Sequence, residues 1–427
     1  MENININLFD ILTCLSGAID LARPELSNHH HQVAYLACRL AEKLNLPAEQ
    51  QRDILIAGLV HDIGAFTVDE RLSLIEDERV TAHSHAFRGA KLLRECPPFA
   101  KVADTVCYHH LPWDNGAGAD FMGSPVPFAS HILHLADRTS VLISRGKTVL
   151  SQVPGIMERI KQQSGDIFCP TVVDALTGLS DKESIWLELT DKAPLDCIPD
   201  ISYWGMVRLS LKDIVSIAEL FSQIIDFRSR FTATHSAGVA KTAQKLAELI
   251  GFSPNECLLM LTAGYLHDLG KLAIDNEVLE KPSALDTREY DIMRSHTYYT
   301  YRLLGQIKGF ETINQWASFH HEKLDGSGYP FNLSNESLPL GARIMAVADI
   351  FSAVTEHRPY RAAMSMAQVA HVLQRMADDQ AICPKVTRVV LENLGLLTDT
   401  CQEAERDALE RYQRFLNEKP DSRSDNS

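Results

Sequence analysis

An internal repeat is the feature of this sequence that most constrains its fold. Residues 29–44 align with residues 235–250 at a shift of 206 positions, and their apolar residues coincide. In both segments the apolar residues recur at helical spacing, which predicts an amphipathic helix in each. A repeat of this length indicates that each half of the chain is a structural unit of its own.

Five histidines and two aspartates occupy matching positions in the two halves. His61-Asp62 of LVHDIG matches His267-Asp268 of YLHDLG at the shift of 206, and the later residues match at 211 or 212. Only 17 of the 427 residues are histidine, so this agreement indicates homologous halves rather than chance. The set in the first half consists of His29, His61, Asp62, His85, His109, His110 and Asp137. The set in the second half consists of His235, His267, Asp268, His296, His320, His321 and Asp349.

Helical periodicity continues through nearly the whole chain, and no succession of alternating strands interrupts it. We therefore predict an all-α fold with two tandem helical domains, at 1–195 and 205–410. Residues 411–427 are expected to hold the end of a C-terminal helix and a polar tail. Hydrophobic residues make up 45% of the chain, which is enough to bury a core in each domain.

The repeated polar residues are of the types that bind transition metals. Imidazole and carboxylate together suit Fe, Mn, Zn, Co or Ni, and seven ligands are too many for one ion. Adjacent ligands on a helix diverge by about 100°, so an aspartate of such a pair can bridge two ions, or two histidines can flank a wider centre. Two ions ~3.5–4 Å apart stabilise the attacking and leaving oxygens of phosphoester hydrolysis. The second half is therefore predicted to bind more than one metal ion, and the first half offers a second candidate site.

Two further features occur in the second half alone. Lys271 lies four residues after His267, where one helical turn would place it on the same face, and the first half has Ala65 there. A cation at that position can offset charge on a phosphate oxygen. The sequence EKLDGSGYP follows His321, and its glycines permit a tight loop close to a ligand. Taken alone, such a loop is more typical of a plain surface turn than of a ligand site.

Three motifs of the second half together resemble the HD-GYP phosphodiesterases, a subgroup of the HD hydrolases. They are HDLGK at 267–271, HHEKLDGSGYP at 320–330 and ADIFSAVTEHRPYR at 348–361. The resemblance covers about 200 residues, roughly 205–400. The first half resembles the broader HD superfamily with a degenerate signature. The predicted architecture is thus two tandem HD-type helical domains, of which the second is catalytic.

The resemblance implies hydrolysis of a cyclic dinucleotide, cyclic di-GMP or 3′3′-cyclic GMP-AMP, to a linear dinucleotide. It makes the seven repeated residues of the second half metal ligands, with Asp268 as the bridge and Lys271 on the scissile phosphate. Fe or Mn is the favoured metal, with Ni, Co or Zn as alternatives. Trinuclear members carry a glutamate where this chain has Phe231, so two ions are expected. The substrate contacts it implies are Asp325, Gly328, Tyr329, Pro330, Arg358 and Arg361.

Two other functions stay open for the second half. An HD hydrolase of another nucleotide is disfavoured by the GSGYP loop, and a non-catalytic module that binds cyclic dinucleotides is disfavoured by the intact ligand set. Departures from the family pattern, such as Leu324 and Ser352, leave the choice of cyclic dinucleotide open. For the first half, the absence of the lysine and of the GYP sequence favours a module for regulation, dimerisation or substrate gating.

Charge and hydropathy limit the partners of the chain. A net charge of −15 argues against a polymeric nucleic acid, which needs a basic surface. No apolar stretch approaches the ~18 residues of a membrane helix, and the N-terminus lacks the pattern of a signal peptide. We therefore expect a cytoplasmic protein with no membrane partner. Family analogy suggests a homodimer or a signalling protein as a partner.

Overall fold

The chain divides into two helical units in a computed structural model. The N-terminal unit spans Asn7–Met206, and the C-terminal unit combines Met1–Ile6 with Val207–Glu418. The described residues are 3–20, 28–66, 82–199, 201, 204, 206–227, 234–281, 283–356 and 363–417.

Helices account for almost all the regular structure, so the predicted all-α class is confirmed. In the N-terminal unit they are α1 Leu8–Asp20, α2 His29–Lys43, α3 Ala48–Val60, α4 Ala82–Glu95, α5 Ala103–Cys107, α6 Phe128–Val141, α7 Val149–Gln162, α8 Pro170–Ser180 and α9 Glu183–Leu189. In the C-terminal unit they are α10 Leu211–Asp226, α11 His235–Ile250, α12 Pro254–Leu266, α13 Asn276–Leu279, α14 Thr287–Leu304, α15 Glu311–Ser318, α16 Leu340–Thr355, α17 Met366–Asp378, α18 Pro384–Glu392 and α19 Leu394–Asn417. No described helix has both the length and the apolar composition that crossing a membrane requires.

The boundary between α11 and α12 illustrates how local sequence determines these helices. Gly251 ends α11 with φ at 99°, a left-handed conformation that glycine adopts without steric cost. Ser253 then begins α12, because its hydroxyl accepts a hydrogen bond from the backbone N–H of Glu256 and the Glu256 carboxylate accepts one from Ser253 N–H. The predicted C-terminal helix ends at Asn417, and the rest of the polar tail lies outside the described residues.

The structure also contains two short two-stranded sheets, which the sequence patterns did not predict. β1 Asn3–Asn7 pairs with β4 Met206–Ser210. β2 Asp120–Phe121 pairs antiparallel with β3 Ser124–Pro125, with Asp120 opposite Pro125. The second sheet is too short for an alternating pattern, and its turn depends on a positive φ at both Met122 and Gly123.

One glycine contact recurs in both units and positions the metal-ligand motifs. A Cβ on Gly264 would lie 2.4 Å from Ala240 Cα, so α12 can approach α11 closely only because this residue is glycine. Gly58 makes the equivalent contact with Ala34 in the N-terminal unit, at the same shift of 206 residues. These contacts bring the C-terminal ends of α3 and α12 against the helices α2 and α11.

Candidate metal centre

Three histidines of the C-terminal unit are oriented by hydrogen bonds to the backbone carbonyl three residues earlier. Nδ1 of His267 lies 2.7 Å from Gly264 O, and Nδ1 of His320 lies 2.6 Å from Ala317 O. His296 makes the same contact with Met293 O at 2.6 Å. Because Nδ1 donates its proton to a carbonyl, Nε2 is left as the acceptor that can bind a metal.

The predicted ligands of the C-terminal unit lie together in two groups. His235, His267 and Asp268 form one group, and His296, His320 and His321 form the other, with candidate ligand atoms of each group within 4.8 Å of one another. Asp268 faces both groups. Its Oδ2 is 3.2 Å from His267 Nε2, and its Oδ1 is 3.4 Å from His296 Nε2. Asp349 adjoins the first group, with Oδ1 3.2 Å from His235 Nε2.

Lys271 lies beside this cluster, but the predicted reason for its position was wrong. The helix α12 ends at Leu266, and Lys271 is in a 3-10 helix over Leu269–Ala273 rather than one α-helical turn beyond His267. The tighter turn directs Nζ to Oδ2 of Asp268, at 2.5 Å. The chain turns here against α14, since a Cβ on Gly270 would lie 1.9 Å from His296 O.

Burial and neighbouring charge determine which side chains of the cluster are neutral and which are charged. Burial lowers the pKa of His296, His320 and His321 to about 3, which keeps these rings neutral at pH 7. Burial also opposes the charge on Lys271, but the adjacent Asp268 carboxylate outweighs it and raises the lysine pKa. The pKa of Asp268 is held well below its usual range, because His267 and Lys271 outweigh the effect of burial.

Sequence inspection missed two buried carboxylates beside the first group. Glu356 lies with Oε2 3.7 Å from Nδ1 of His235, and Asp226 accepts a hydrogen bond from Ser236 Oγ at 2.9 Å. Although burial opposes protonation, Asp349 and Glu356 raise the pKa of His235 to about 10. Burial raises the pKa of Asp226 to about 7. Glu356 follows Asp349 by seven residues, two helical turns, which is the signal that could have identified it.

Glu322 holds the GSGYP loop in place, a role that the sequence did not predict. Oε1 of Glu322 accepts from Phe331 N at 2.6 Å, and its Oε2 accepts from Leu333 N at 2.9 Å. Gly328 packs against the same segment, since a Cβ there would lie 2.4 Å from Glu322 Cα. Asp325 is exposed and accepts from Ser327 N at 2.8 Å. In this loop, Asp325 and Gly328 thus make contacts that shape the turn.

The other predicted substrate residues differ in position. Tyr329 lies with its ring 4.9 Å from the His321 ring, so it adjoins the metal-ligand cluster. Pro330 lines the same groove as Tyr329. Arg358, Arg361 and Phe231 lie outside the described residues.

The N-terminal unit assembles all seven of its predicted ligands, which are buried. Asp62 again faces two groups, with Oδ2 3.4 Å from His61 Nε2 and Oδ1 3.1 Å from His85 Nε2. Nδ1 of His61 and of His109 contact the carbonyls of Gly58 and Val106, again three residues earlier. The four residues Asp62, His85, His109 and His110 form one group, and His29, His61 and Asp137 form the other.

The two centres differ in the charge that surrounds them. In the N-terminal unit the lysine position is Ala65, and Arg138 donates to Asp137 Oδ2 at 2.8 Å. The residue that corresponds to Arg138 at the shift of 212 is Ile350. The N-terminal centre thus has a cation on Asp137, and it has an alanine at the position of the lysine that contacts Asp268 in the C-terminal centre.

The residues of both clusters fit metal ions. In the N-terminal unit, Nε2 of His61 and Nε2 of His109 are buried without a hydrogen-bond partner among the described residues. Such groups are costly to bury unless a ligand satisfies them. In both units the donors are imidazole nitrogens and carboxylate oxygens, the ligand types that transition metals take.

Comparison with known proteins agrees with this arrangement. The model of the HD domain family matches residues 13–162 and 219–386. The 3′3′-cGAMP-specific phosphodiesterase 1 of Vibrio cholerae is 31% identical over 399 residues, which are 91% of this chain and 92% of that protein. A cyclic di-GMP phosphodiesterase response regulator of Xanthomonas campestris is 39% identical over 147 residues, 34% of this chain and 39% of the regulator.

A solved structure shares the fold over nearly the full length. It is a cyclic GMP-AMP-specific phosphodiesterase of Vibrio cholerae, with a TM-score of 0.59 and 21% identity, and the match covers 95% of this chain and 98% of the other. The family match and the near full-length relative together confirm the resemblance that the motifs indicated. This chain belongs to the HD domain family.

Proposed function

We propose that this protein is a metal-dependent phosphodiesterase that hydrolyses a cyclic dinucleotide to a linear dinucleotide in its C-terminal unit. The observation that carries the proposal is Asp268, whose two carboxylate oxygens face two separate groups of histidines. Relatives named as phosphodiesterases of 3′3′-cGAMP and of cyclic di-GMP support the substrate class.

The proposed ligands are the seven repeated residues of the C-terminal unit, with Asp268 between two divalent ions. When bound, two such ions would hold the phosphate oxygens and activate a water molecule for attack on phosphorus. Fe and Mn are the two metals that we propose to test first. The neutral imidazoles of His296, His320 and His321 are ready to bind a metal without losing a proton.

The role proposed for Lys271 is to stabilise charge on the scissile phosphate. Its ammonium group is held 2.5 Å from Asp268, so it lies beside the carboxylate that faces both groups of ligands. A cation fixed at this point does not need to reorganise as negative charge develops on the non-bridging oxygens. Asp268 thereby positions the lysine in addition to its proposed role as a ligand.

The test is hydrolysis by purified protein, loaded with Mn or anaerobically with Fe(II) and assayed by chromatography. We expect cleavage of 3′3′-cGAMP, cyclic di-GMP or both, with the faster substrate identifying the preference. The double variant His267→Ala with Asp268→Ala should abolish turnover and lose metal. Substantial turnover in this variant would locate the chemistry elsewhere, and bound metal without any cleavage would favour a cyclic dinucleotide-binding module.

For the N-terminal unit we propose a metal-binding module that regulates rather than performs this hydrolysis. It has the complete ligand set, whereas the position of Lys271 is Ala65. The matched double variant His61→Ala with Asp62→Ala should lose metal from the N-terminal unit but still hydrolyse the cyclic dinucleotide. Complete loss of hydrolysis, with the fold and the second metal site intact, would refute the regulatory assignment.

Cytoplasmic location, a homodimer and a signalling protein partner stay predictions of the sequence. A cyclic dinucleotide substrate is compatible with each of them. Sedimentation of the purified protein would test the dimer, and a single monomeric species at all concentrations would reject it.

A further inference from the structure

One face of α14 carries polar side chains into a groove beside the metal-ligand cluster. Asp291, Arg294, Ser295 and Tyr298 are spaced at i, i+3, i+4 and i+7, so they lie on the same side of the helix. Together with Tyr329 they line a groove of about 290 Å³, close to the ~300 Å³ at which small-molecule sites begin.

The groove adjoins the proposed reaction site through two direct connections. Ser295 precedes His296, whose Nε2 is 3.4 Å from Asp268 Oδ1. Tyr329 forms the opposite wall, with its ring 4.9 Å from the ring of His321. A substrate whose phosphate lies between the two groups of histidines would therefore extend a neighbouring nucleoside along this face of α14.

Arg294 and Asp291 present a donor and an acceptor side by side. The guanidinium of Arg294 lies over the Tyr329 ring, 4.7 Å from its centroid, and this contact holds the side chain at the groove. Its Nη1 is 3.9 Å from Asp291 Oδ1, too far for a direct hydrogen bond. The guanidinium can thus donate hydrogen bonds to a ligand and the carboxylate can accept them. Side by side, the two groups would pair with adjacent atoms along one edge of a planar ligand.

A guanine base has the matching edge. Along its Watson–Crick edge, O6 accepts a hydrogen bond, which Arg can donate, and the adjacent N1–H and N2–H₂ groups donate hydrogen bonds, which an aspartate carboxylate can accept. Adenine has an N6–H₂ donor where guanine has O6, and its N1 carries no proton. The N6–H₂ donor would therefore face the Arg294 donor, and the N1 acceptor would face the Asp291 carboxylate. Tyr298 is 42% exposed, and an exposed ring at this place offers a surface on which a base can stack.

Taking the proposed function as its basis, we infer that Asp291 and Arg294 bind a guanine base of the cyclic dinucleotide, with Tyr298 as the stacking ring. The assignment makes this face of α14 the element that distinguishes guanine from adenine. It predicts that substrates with guanine, cyclic di-GMP and 3′3′-cGAMP, are preferred over cyclic di-AMP.

The experiment compares kcat/KM for cyclic di-GMP, 3′3′-cGAMP and cyclic di-AMP in the wild type and in Asp291→Ala and Arg294→Ala. We expect the preference for cyclic di-GMP over cyclic di-AMP to fall about tenfold or more in each variant, as loss of a paired base contact does. The exposed residues Asp399 and Arg302 do not line the groove, so Asp399→Ala and Arg302→Ala are the matched controls and should keep the wild-type preference. An unchanged preference in Asp291→Ala and Arg294→Ala would overturn the inference.

Two further measurements separate this inference from the proposed function. Hydrolysis of bis(p-nitrophenyl) phosphate, a diester without bases, reports the metal centre independently of base recognition, and the control Asp399→Ala should keep the wild-type rate. If the wild type cleaves no cyclic dinucleotide, the proposed function fails, but titration with GMP and AMP still tests the guanine site. Tighter binding of GMP by the wild type, lost in Asp291→Ala, supports the inference, and equal binding of GMP and AMP overturns it.

Discussion

Oε2 of Glu356 lies 3.7 Å from Nδ1 of His235, on the side of the ring opposite the nitrogen that faces Asp349. Both residues are buried. A carboxylate at the second nitrogen of a histidine fixes the orientation of the ring and raises its basicity as a ligand. Glu356 is therefore a positioning residue for the proposed ligand His235.

Glu356→Gln should weaken metal binding, because the amide keeps the shape of the side chain but removes its charge. We expect a loss of about 10–100-fold in affinity, measured by competition with a chelator. Glu403→Gln, at an exposed position of α19, is the control and should bind metal like the wild type. Unaltered affinity in Glu356→Gln would mean that His235 is not a ligand or needs no such partner.

Lys271→Met should lower turnover without removing metal. The variant keeps the aliphatic stem but loses the cation beside Asp268, and removal of one such electrostatic contact costs about 10²–10³ in kcat. Metal content, measured by elemental analysis, should match the wild type and the exposed control Lys385→Met. Depletion of metal in Lys271→Met would show that the lysine supports the ligands rather than the reaction.

Glu322→Gln should loosen the GSGYP loop. The charged side chain accepts from two backbone N–H groups, and the amide can offer only one oxygen to them. We expect a loss of about 1–3 kcal/mol in the free energy of unfolding and a higher KM. Thermal unfolding and steady-state kinetics test this against the exposed control Glu336→Gln, which should change neither quantity.

The metal-free protein should lose stability as the pH falls below about 6.5. The folded pKa of His296, His320 and His321 is lowered to about 3, so between pH 6.5 and 3 the unfolded chain binds more protons than the folded one. Each such histidine contributes about 1.4 kcal/mol per pH unit to the slope within this window.

The measurement is urea unfolding of the metal-free protein at a series of pH values from 7 to 4. His321→Gln should show a shallower dependence on pH than the wild type, because one titrating group is gone. His371→Gln, at an exposed position of α17, should keep the wild-type slope. Equal slopes in all three proteins would contradict the assignment of a neutral, buried His321.

Much of the fold and of the candidate centre could be predicted, because the repeat carries both. The helical periodicity of 29–44 and 235–250 corresponds to α2 and α11, and the matched histidines and aspartates meet in two clusters. Periodicity and coincident positions are local properties that a single sequence displays.

The remaining features depend on contacts between distant segments. Glu356 meets His235 across more than a hundred residues, and its helical spacing from Asp349 does not by itself indicate a contact with that histidine. The position of Arg294 beside the site depends on its contact with Tyr329, because a distant loop brings the Tyr329 ring to the Arg294 guanidinium. The local conformation of Lys271 was mistaken because α12 ends one turn early, where Gly270 must pack against α14.

The contacts between histidine Nδ1 and the carbonyls three residues earlier also bear on how the protein would acquire its ions. His267 and His320 each follow the end of a helix, so these contacts satisfy carbonyls that helix ends leave open. The same bond that completes the helix therefore sets the ring in place. The conformational entropy of ordering these side chains is then lost on folding, not on metal uptake. Loading, loss or exchange of a metal can accordingly proceed on a finished scaffold, unlike in small zinc domains that fold around their ion.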